Sequence, residues 1–139
     1  MNQLVSSEWL NQNLEKVKIL DASWHLPTVK RNSFEEYKAS HITKSIFFDI
    51  DRYSNQKTNL PHMLPSKEDW EIIVSNLGIN NSDHIIVYDT SEVFSSCRVS
   101  YTFLYFGHDQ DLISVLDGNF KKWVTEKHPV TTKIIKNDK

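Results

Sequence analysis

The sequence has few of the residues that form disulfides, bind metals through sulfur or build strongly charged surfaces. Its 139 residues include one cysteine, which excludes an internal disulfide and a multi-cysteine zinc site. Sixteen basic and 18 acidic residues nearly cancel, so the charge predicts no nucleic-acid-binding surface. No apolar run approaches the roughly 18 residues that span a membrane, and the polar start MNQLVSSEWL does not resemble a signal peptide. We therefore expect no nucleic-acid or membrane partner and a cytoplasmic location.

The residues that are present indicate one globular domain. Hydrophobic residues make up 39% of the chain and aromatic residues 12%, which is typical of a folded protein. Four strand-like segments alternate with helical ones, and they span residues 17–23, 45–51, 84–89 and 112–117. This alternation predicts an α/β fold, with a mainly parallel sheet covered by helices on both faces. We assign residues 1–131 to the domain and residues 132–139 to a tail or the start of an inter-domain linker.

Capping residues predict where several helices begin. Ser6 and Ser66 each precede an amphipathic segment and are good N-caps. Ser33 is followed three residues later by Glu36, as in a capping box, so we expect Ser33 to cap the next helix. With three glycines in the chain, we also expect Asn, Asp and Lys to occupy some of the tight turns.

The carboxyl ends of the predicted strands are the expected place for a ligand. They lead into residues 21–25, 49–51, 89–95 and 117–119. The turn after residue 89 joins a strand to a helix, where glycine-rich loops present backbone N–H groups to anions. Here the turn contains no glycine and carries Asp89 and Glu92. We expect this loop to repel an anionic substrate.

The single cysteine, Cys97, is followed by Arg98 and has two interpretations. It could be a reactive thiolate stabilised by the arginine and a helix N-terminus. It could equally be an inert, half-buried residue of the helix. Cys97 lies eight residues after Asp89, beyond the loop tip, and adjacent helix residues point about 100° apart, so the second interpretation is favoured.

His62 is a stronger candidate for chemistry than the other five histidines, none of which has metal-ligand spacing. It stands in the segment LPHMLP, between two prolines that stiffen a long loop. Asp49 and Asp51, in FFDID, could orient its imidazole, because a carboxylate fixes the tautomer. Alternatively, His62 packs the loop down and the two aspartates cap backbone N–H groups. We predict no metal and no cofactor.

Eight motifs follow one another in an order that resembles a known family. They are ILDASWHLP, ASHI, FFDID, LPHMLP, IIVYD, CRV, YFGHD and VLDGNFKKW. From about Leu4 to Val130, the chain resembles the N-terminal rhodanese domain of two-domain sulfurtransferases, and most of all the 3-mercaptopyruvate sulfurtransferases of the thiosulfate sulfurtransferase family. The resemblance implies a rhodanese fold, in which a five-stranded mainly parallel sheet is flanked by helices on both faces.

The resemblance also implies a function and a missing partner. In such enzymes the second rhodanese domain carries a cysteine that takes sulfur from 3-mercaptopyruvate or thiosulfate and passes it to a thiol or cyanide. Asp89 matches the position of that cysteine, so this chain is implied to be the N-terminal half and inactive alone. Asp51 and His62 match a supporting pair for the site that the second domain completes. Cys97 matches a helix position that has no catalytic part.

Departures from the family pattern keep a second interpretation open. Lys44 stands near where the family has glycine, Ser100 and Tyr101 replace paired tryptophans, and Leu104 replaces an arginine. The acidic, glycine-free loop would also suit a stand-alone, non-catalytic rhodanese-like module for binding or regulation. A rhodanese-related phosphatase is rejected, because its cysteine and arginine are several residues apart whereas Cys97 adjoins its arginine.

Overall fold

The structure is a computed structural model that describes residues 3–25, 30–50, 64–90 and 95–133. In chain order the elements are β1 (Gln3–Val5), α1 (Ser7–Gln12), β2 (Lys18–Asp21), α2 (Ser33–Ala39), β3 (His41–Ile42), β4 (Ser45–Phe47), α3 (Lys67–Asn76), β5 (Ile85–Tyr88), α4 (Ser95–Tyr105), a 3-10 helix (Gln110–Leu112), β6 (Ile113–Leu116), α5 (Asn119–Thr125) and β7 (Val130–Thr131). None of the helices within these ranges is long and apolar enough to cross a membrane.

A five-stranded parallel sheet forms the centre of the domain, in the order β1-β6-β5-β2-β4. Every residue of β5 and of β6 is buried, as expected for apolar strands covered on both faces. The predicted α/β architecture is therefore confirmed. The two strands that begin at residues 17 and 45 in the prediction are shorter in the structure, because their ladders end at Asp21 and Phe47.

Side chains alternate between two hydrophobic cores, one on each face of the sheet. On β2, Leu20 belongs to the core that contains Trp70 of α3 and Phe103 of α4. Its neighbour Ile19 belongs to the other core, with Leu10 of α1 and Trp123 of α5. This period of two fixes the register, because a slip of one residue would expose each apolar side chain to the wrong face.

Two of the three predicted helix caps are confirmed and one is wrong. The Ser6 hydroxyl accepts from the Trp9 N–H at 3.0 Å, and Ser66 caps α3 in the same way. The helix α2 is capped by Asn32, whose Oδ1 accepts from the Glu35 N–H at 2.9 Å, and Ser33 is its first helical residue. Asparagine and serine cap about equally well, and Asn32 has the same three-residue spacing to a glutamate.

Lysine and asparagine occupy turns that glycine usually takes. Lys44, Asn119 and Lys127 have φ angles of 75°, 53° and 62°. This confirms the expectation for Asn and Lys, and no aspartate in the described residues has a positive φ. Lys44 closes the tight turn between β3 and β4, where the family resemblance leads one to expect glycine. Such a backbone costs energy for a side chain with a Cβ.

A second, two-stranded sheet joins β3 to β7 in antiparallel pairing, with His41 opposite Thr131 and Ile42 opposite Val130. This pairing was not predicted, because strands of two residues carry no recognisable periodicity. Its paired residues lie about 90 positions apart in sequence, so the contact ties the end of the described chain to the segment after α2.

Replacement of Leu20 by alanine is expected to destabilise the domain strongly. The Leu20 side chain is fully buried in β2, an interior strand beside the central strand β5, so truncation should lower the free energy of unfolding by about 2 to 5 kcal/mol. Urea denaturation monitored by tryptophan fluorescence measures this change. Leu4→Ala is the matched control, because Leu4 is 67% exposed on the edge strand. A similar loss of unfolding free energy in both variants would contradict the assignment of Leu20 to the core.

Candidate active site

The carboxyl ends of the central strands meet at one edge of the sheet, as the sequence predicts. The Asp89 N–H, just after β5, donates to Asn119 Oδ1 at 3.3 Å. The Thr90 N–H donates to Ser23 Oγ at 2.8 Å, which joins the ends of β5 and β2. The Phe48 N–H donates to the Asp21 carbonyl oxygen at 2.8 Å. Residues from three of the four predicted segments are therefore bonded together, and the chain that leads to the fourth starts at the same edge.

The Asp89 carboxylate lies at the N-terminus of α4 and is fully buried. Its Oδ2 accepts from the Ser96 N–H at 2.7 Å. A helix N-terminus presents unsatisfied N–H donors and a partial positive charge, and a carboxylate stabilises both. Asp89 therefore occupies the position at this helix end that an anionic ligand or thiolate would need.

Cys97 is the third residue of α4 and is exposed. Its interpretation as a helix residue is confirmed, whereas the expectation that it is half-buried is wrong. The helix buries Ser96 and Val99 against the sheet and leaves Cys97 on its outer face together with Tyr101. The thiol is thus on the opposite side of the helix from the residues that pack on the sheet.

Asp21 is a second buried carboxyl group at this edge, with 2% of its surface exposed. Its Oδ1 accepts from the Ser23 N–H at 3.0 Å and from the Ser23 hydroxyl at 2.6 Å. Burial raises the pKa of Asp21 to about 6, although the two bonds from Ser23 lower it, and the nearby Asp89 raises it further. Burial also raises the pKa of Tyr88 well above its usual value, and the charge of Asp21 adds to this effect.

Glu36 of α2 joins the loops that follow β2 and β5. Its carboxylate binds His25 Nε2 at 2.8 Å and Arg31 Nε at 2.7 Å, and the Thr90 hydroxyl donates to it at 3.2 Å. Arg31 Nη2 also donates to the Thr90 carbonyl oxygen at 3.3 Å. Partial burial alone would raise the pKa of Glu36, but the bonds from Arg31 and His25 outweigh it and lower the pKa.

The contact of His25 with Glu36 and the network around it were not predicted from the sequence. The only available signal was the glutamate in the first turn of α2, which was assigned to a capping box. Because Glu36 turns toward the preceding loop, it bonds to side chains rather than to the helix N-terminus. A local sequence pattern does not distinguish these two outcomes.

The predicted pair Asp51 and His62 lies outside the described residues, as does Glu92. The described chain reaches Asp49 and Ile50, directly before Asp51, and the Phe48 N–H is bonded to the end of β2. Within the described ranges, no group of three or more His, Cys, Asp or Glu side chains could hold a metal ion.

Comparison with known protein families identifies the fold. A model of the rhodanese-like domain matches residues 6–126. The chain belongs to the rhodanese family. SseA, the 3-mercaptopyruvate sulfotransferase of Escherichia coli, has a similar structure over part of its length: the TM-score is 0.89 at 30% identity, and the match covers 98% of this chain and 52% of that one.

Curated sulfurtransferases resemble this rhodanese domain over most of its length. The mitochondrial thiosulfate/3-mercaptopyruvate sulfurtransferase 1 of Arabidopsis thaliana is 46% identical over 122 residues, which cover 86% of this chain and 32% of that protein. The 3-mercaptopyruvate sulfurtransferase of Rattus norvegicus is 36% identical over 137 residues, which cover 93% of this chain and 46% of that protein. The rhodanese domain thus spans about a third to just under half of the length of these relatives.

Replacement of Asp21 by asparagine is expected to remove a pH-dependent cost of folding. Because the folded pKa of about 6 exceeds the ordinary 3.8, the folded protein binds this proton more tightly than the unfolded chain. The stability that the protonated Asp21 contributes is therefore fully present below about pH 3.8, and it is lost as the pH rises through about 6. At about pH 8, Asp21→Asn should be more stable than the native domain by up to about 3 kcal/mol, the equivalent of this shift.

Urea denaturation between about pH 4 and pH 8 tests this expectation, because the two proteins differ in this one titratable side chain. The asparagine amide oxygen keeps an acceptor for the two Ser23 donors, so the fold should be retained. Asp117→Asn is the matched control, an exposed aspartate at the end of β6. If the free energies of unfolding of the native and Asp21→Asn proteins change with pH in the same way, the buried carboxyl group does not govern this pH dependence.

Proposed function

We propose that this chain is the N-terminal rhodanese domain of a two-domain sulfurtransferase. The enzyme moves sulfur from 3-mercaptopyruvate or thiosulfate to a thiol or cyanide, and its partner is a second rhodanese domain. The similarity to 3-mercaptopyruvate and thiosulfate sulfurtransferases supports this reaction class. The partial coverage of those relatives is what a single domain of a two-domain protein would give.

One observation supports the assignment of the persulfide-forming cysteine to the second domain. The carboxyl end of β5, where the turn leads into α4, holds the buried carboxylate of Asp89 in place of a thiol. Sulfur transfer through a persulfide requires a thiolate that attacks the donor sulfur, so that a new S–S bond forms as the donor's own bond to that sulfur breaks. An aspartate has no sulfur for this bond. The persulfide therefore forms in the second domain.

The proposed contribution of this domain is the pair Asp51 and His62. An aspartate beside a histidine fixes the imidazole tautomer and holds the ring in one orientation. A histidine held in this way can move a proton to or from the substrate as the sulfur leaves. The position of Phe48 supports this role, because its N–H is bonded to the end of β2 and so the chain toward Asp51 starts from the carboxyl edge of the sheet.

A carboxylate on the α4 N-terminus would also suit a stand-alone binding or regulatory module. The coding sequence after Lys139 separates the two proposals. A further strand followed by a glycine-bearing loop with a cysteine supports the two-domain enzyme, whereas a stop codon supports the module.

The 139-residue chain alone is expected to form no persulfide. After incubation with 3-mercaptopyruvate or thiosulfate, intact-mass spectrometry should show no added sulfur atom, because Cys97 lies on the outer face of α4 and away from the buried end of β5. Cys97→Ser serves as the control for adventitious oxidation of the exposed thiol. Sulfur transferred specifically to Cys97, with turnover to a thiol or cyanide, would overturn the proposal.

In the full-length enzyme, His62→Ala is expected to lower kcat by about 10²- to 10⁴-fold, the usual contribution of a general acid or base. Steady-state assays with 3-mercaptopyruvate and a thiol acceptor measure this loss. His108→Ala is the matched control, because His108 Nε2 contacts the Asp83 carbonyl oxygen before β5, at the opposite edge of the sheet. Unchanged turnover in a folded His62→Ala enzyme would remove the proposed role of this residue.

A further inference from the structure

A chain of hydrogen bonds connects the buried carboxyl group of Asp21 to the surface of the domain. Asp21 Oδ1 accepts from the Ser23 hydroxyl at 2.6 Å. The Ser23 oxygen lies 3.0 Å from the Thr90 hydroxyl, which in turn lies 3.2 Å from Glu36 Oε1. Asp21 and Ser23 are each 2% exposed, whereas the side chain of Glu36 is 33% exposed. The chain therefore begins in the interior and ends at a carboxylate that contacts solvent.

The Thr90 hydroxyl has one proton and two acceptors within hydrogen-bond distance, so the chain has two possible directions. When Thr90 donates to Ser23, the Ser23 proton points to Asp21. When Thr90 donates to Glu36, the Ser23 hydroxyl can donate to Thr90 and accept from a protonated Asp21. In both cases the Thr90 N–H donates to Ser23 Oγ at 2.8 Å and holds the two hydroxyls together.

We propose that Ser23 and Thr90 form a proton relay between Asp21 and the surface carboxylate of Glu36. In the outward direction, the Asp21 proton passes to Ser23 as the Ser23 proton passes to Thr90, and the Thr90 proton passes to Glu36. Each O–H bond that breaks is matched by one that forms, so the two hydroxyls are unchanged and one proton has moved from Asp21 to Glu36. Glu36 then releases this proton to solvent. The relay does not depend on which reaction the domain supports.

The acidities of the two carboxyl groups suit the ends of such a relay. Burial raises the pKa of Asp21 to about 6, so this group changes its charge near neutral pH. Partial burial raises the pKa of Glu36, but the bonds from Arg31 and His25 outweigh it and hold the pKa below its usual value. Glu36 is therefore ionised where Asp21 titrates, so it can accept the proton of Thr90 and lose it rapidly to solvent.

Two other ionisable side chains of the described part of the chain act on Asp21, and both are fully buried. They are Tyr88 of β5 and Asp89, directly after it. Burial raises the pKa of Tyr88 well above its usual value, so the phenol keeps its proton. Neither side chain reaches solvent, so a proton passed to either of them would still need a route out of the interior. The hydroxyls of Ser23 and Thr90 provide that route.

The relay matters because the charge of Asp21 contributes to the electric field at the carboxyl edge of the sheet. A buried group without a path to solvent changes its charge only when the structure around it opens. Through the relay, the proton of Asp21 can equilibrate while the edge stays closed. The negative charge at this edge then follows the pH of the solvent without local unfolding.

Nuclear magnetic resonance of the ¹³C-labelled 139-residue chain tests the relay. Relaxation dispersion of the Asp21 carboxyl carbon, at the midpoint of the Asp21 titration, measures the rate of proton exchange. Thr90→Val removes the hydroxyl but keeps the branched shape and the backbone N–H, so the exchange should be several-fold slower. Thr102→Val is the matched control, because the Thr102 hydroxyl donates to the Arg98 carbonyl oxygen within α4. Equal exchange rates in the native and Thr90→Val proteins would overturn the proposal.

Low concentrations of urea provide a second measurement, which needs only the native protein. Urea promotes the openings that expose buried surface. Exchange through the relay proceeds in the closed structure, so the exchange rate of the Asp21 proton should not change with urea below the unfolding transition. A rate that rises with urea in the native protein would show that the proton leaves through an opening of the edge, and the relay would be rejected.

Discussion

The carboxyl edge of this domain depends on one hydrogen bond, from the Ser96 N–H to the buried carboxylate of Asp89. A carboxylate without exposure to solvent is costly unless donors satisfy it, and the first turn of α4 supplies them. This bond fixes the start of α4 relative to the end of β5. The adjacent Thr90 is then positioned to bond to Ser23 and to Glu36. These bonds hold the loop after β5 against the loop after β2 and against α2.

Two buried carboxyl groups lie at this edge of the sheet, and their negative charge would repel an anionic ligand. Asp21 resists ionisation because it is buried and lies near the charge of Asp89. Thiosulfate and 3-mercaptopyruvate are anions, so this edge is unsuited to hold either of them. For this reason we propose a supporting role for residues after β4 and a nucleophile in a second domain.

Local sequence patterns predicted the strands and most of the helix caps. Contacts between residues far apart in sequence could not be predicted from such patterns. The buried strands, the Ser6 and Ser66 caps and the Asp89 turn were predicted because each depends on a few neighbouring residues. The choice of Asn32 over Ser33 as a cap depends on Glu36, which bonds to His25 and Arg31 instead of to the helix. The exposure of Cys97 depends on which face of α4 meets the sheet. The pairing of β3 with β7 depends on residues 90 positions apart, since His41 lies opposite Thr131.

The small sheet and the large one are joined by Tyr88, which lies directly before the carboxyl edge. The Tyr88 hydroxyl accepts from the Ile42 N–H at 3.2 Å and pairs with Ser45 Oγ at 3.0 Å, while its backbone belongs to β5 directly before Asp89. Because burial keeps the phenol un-ionised, its oxygen keeps one proton to donate while it accepts from the Ile42 N–H. Because Ile42 belongs to β3, the small sheet is attached through one phenol to the strand that presents Asp89.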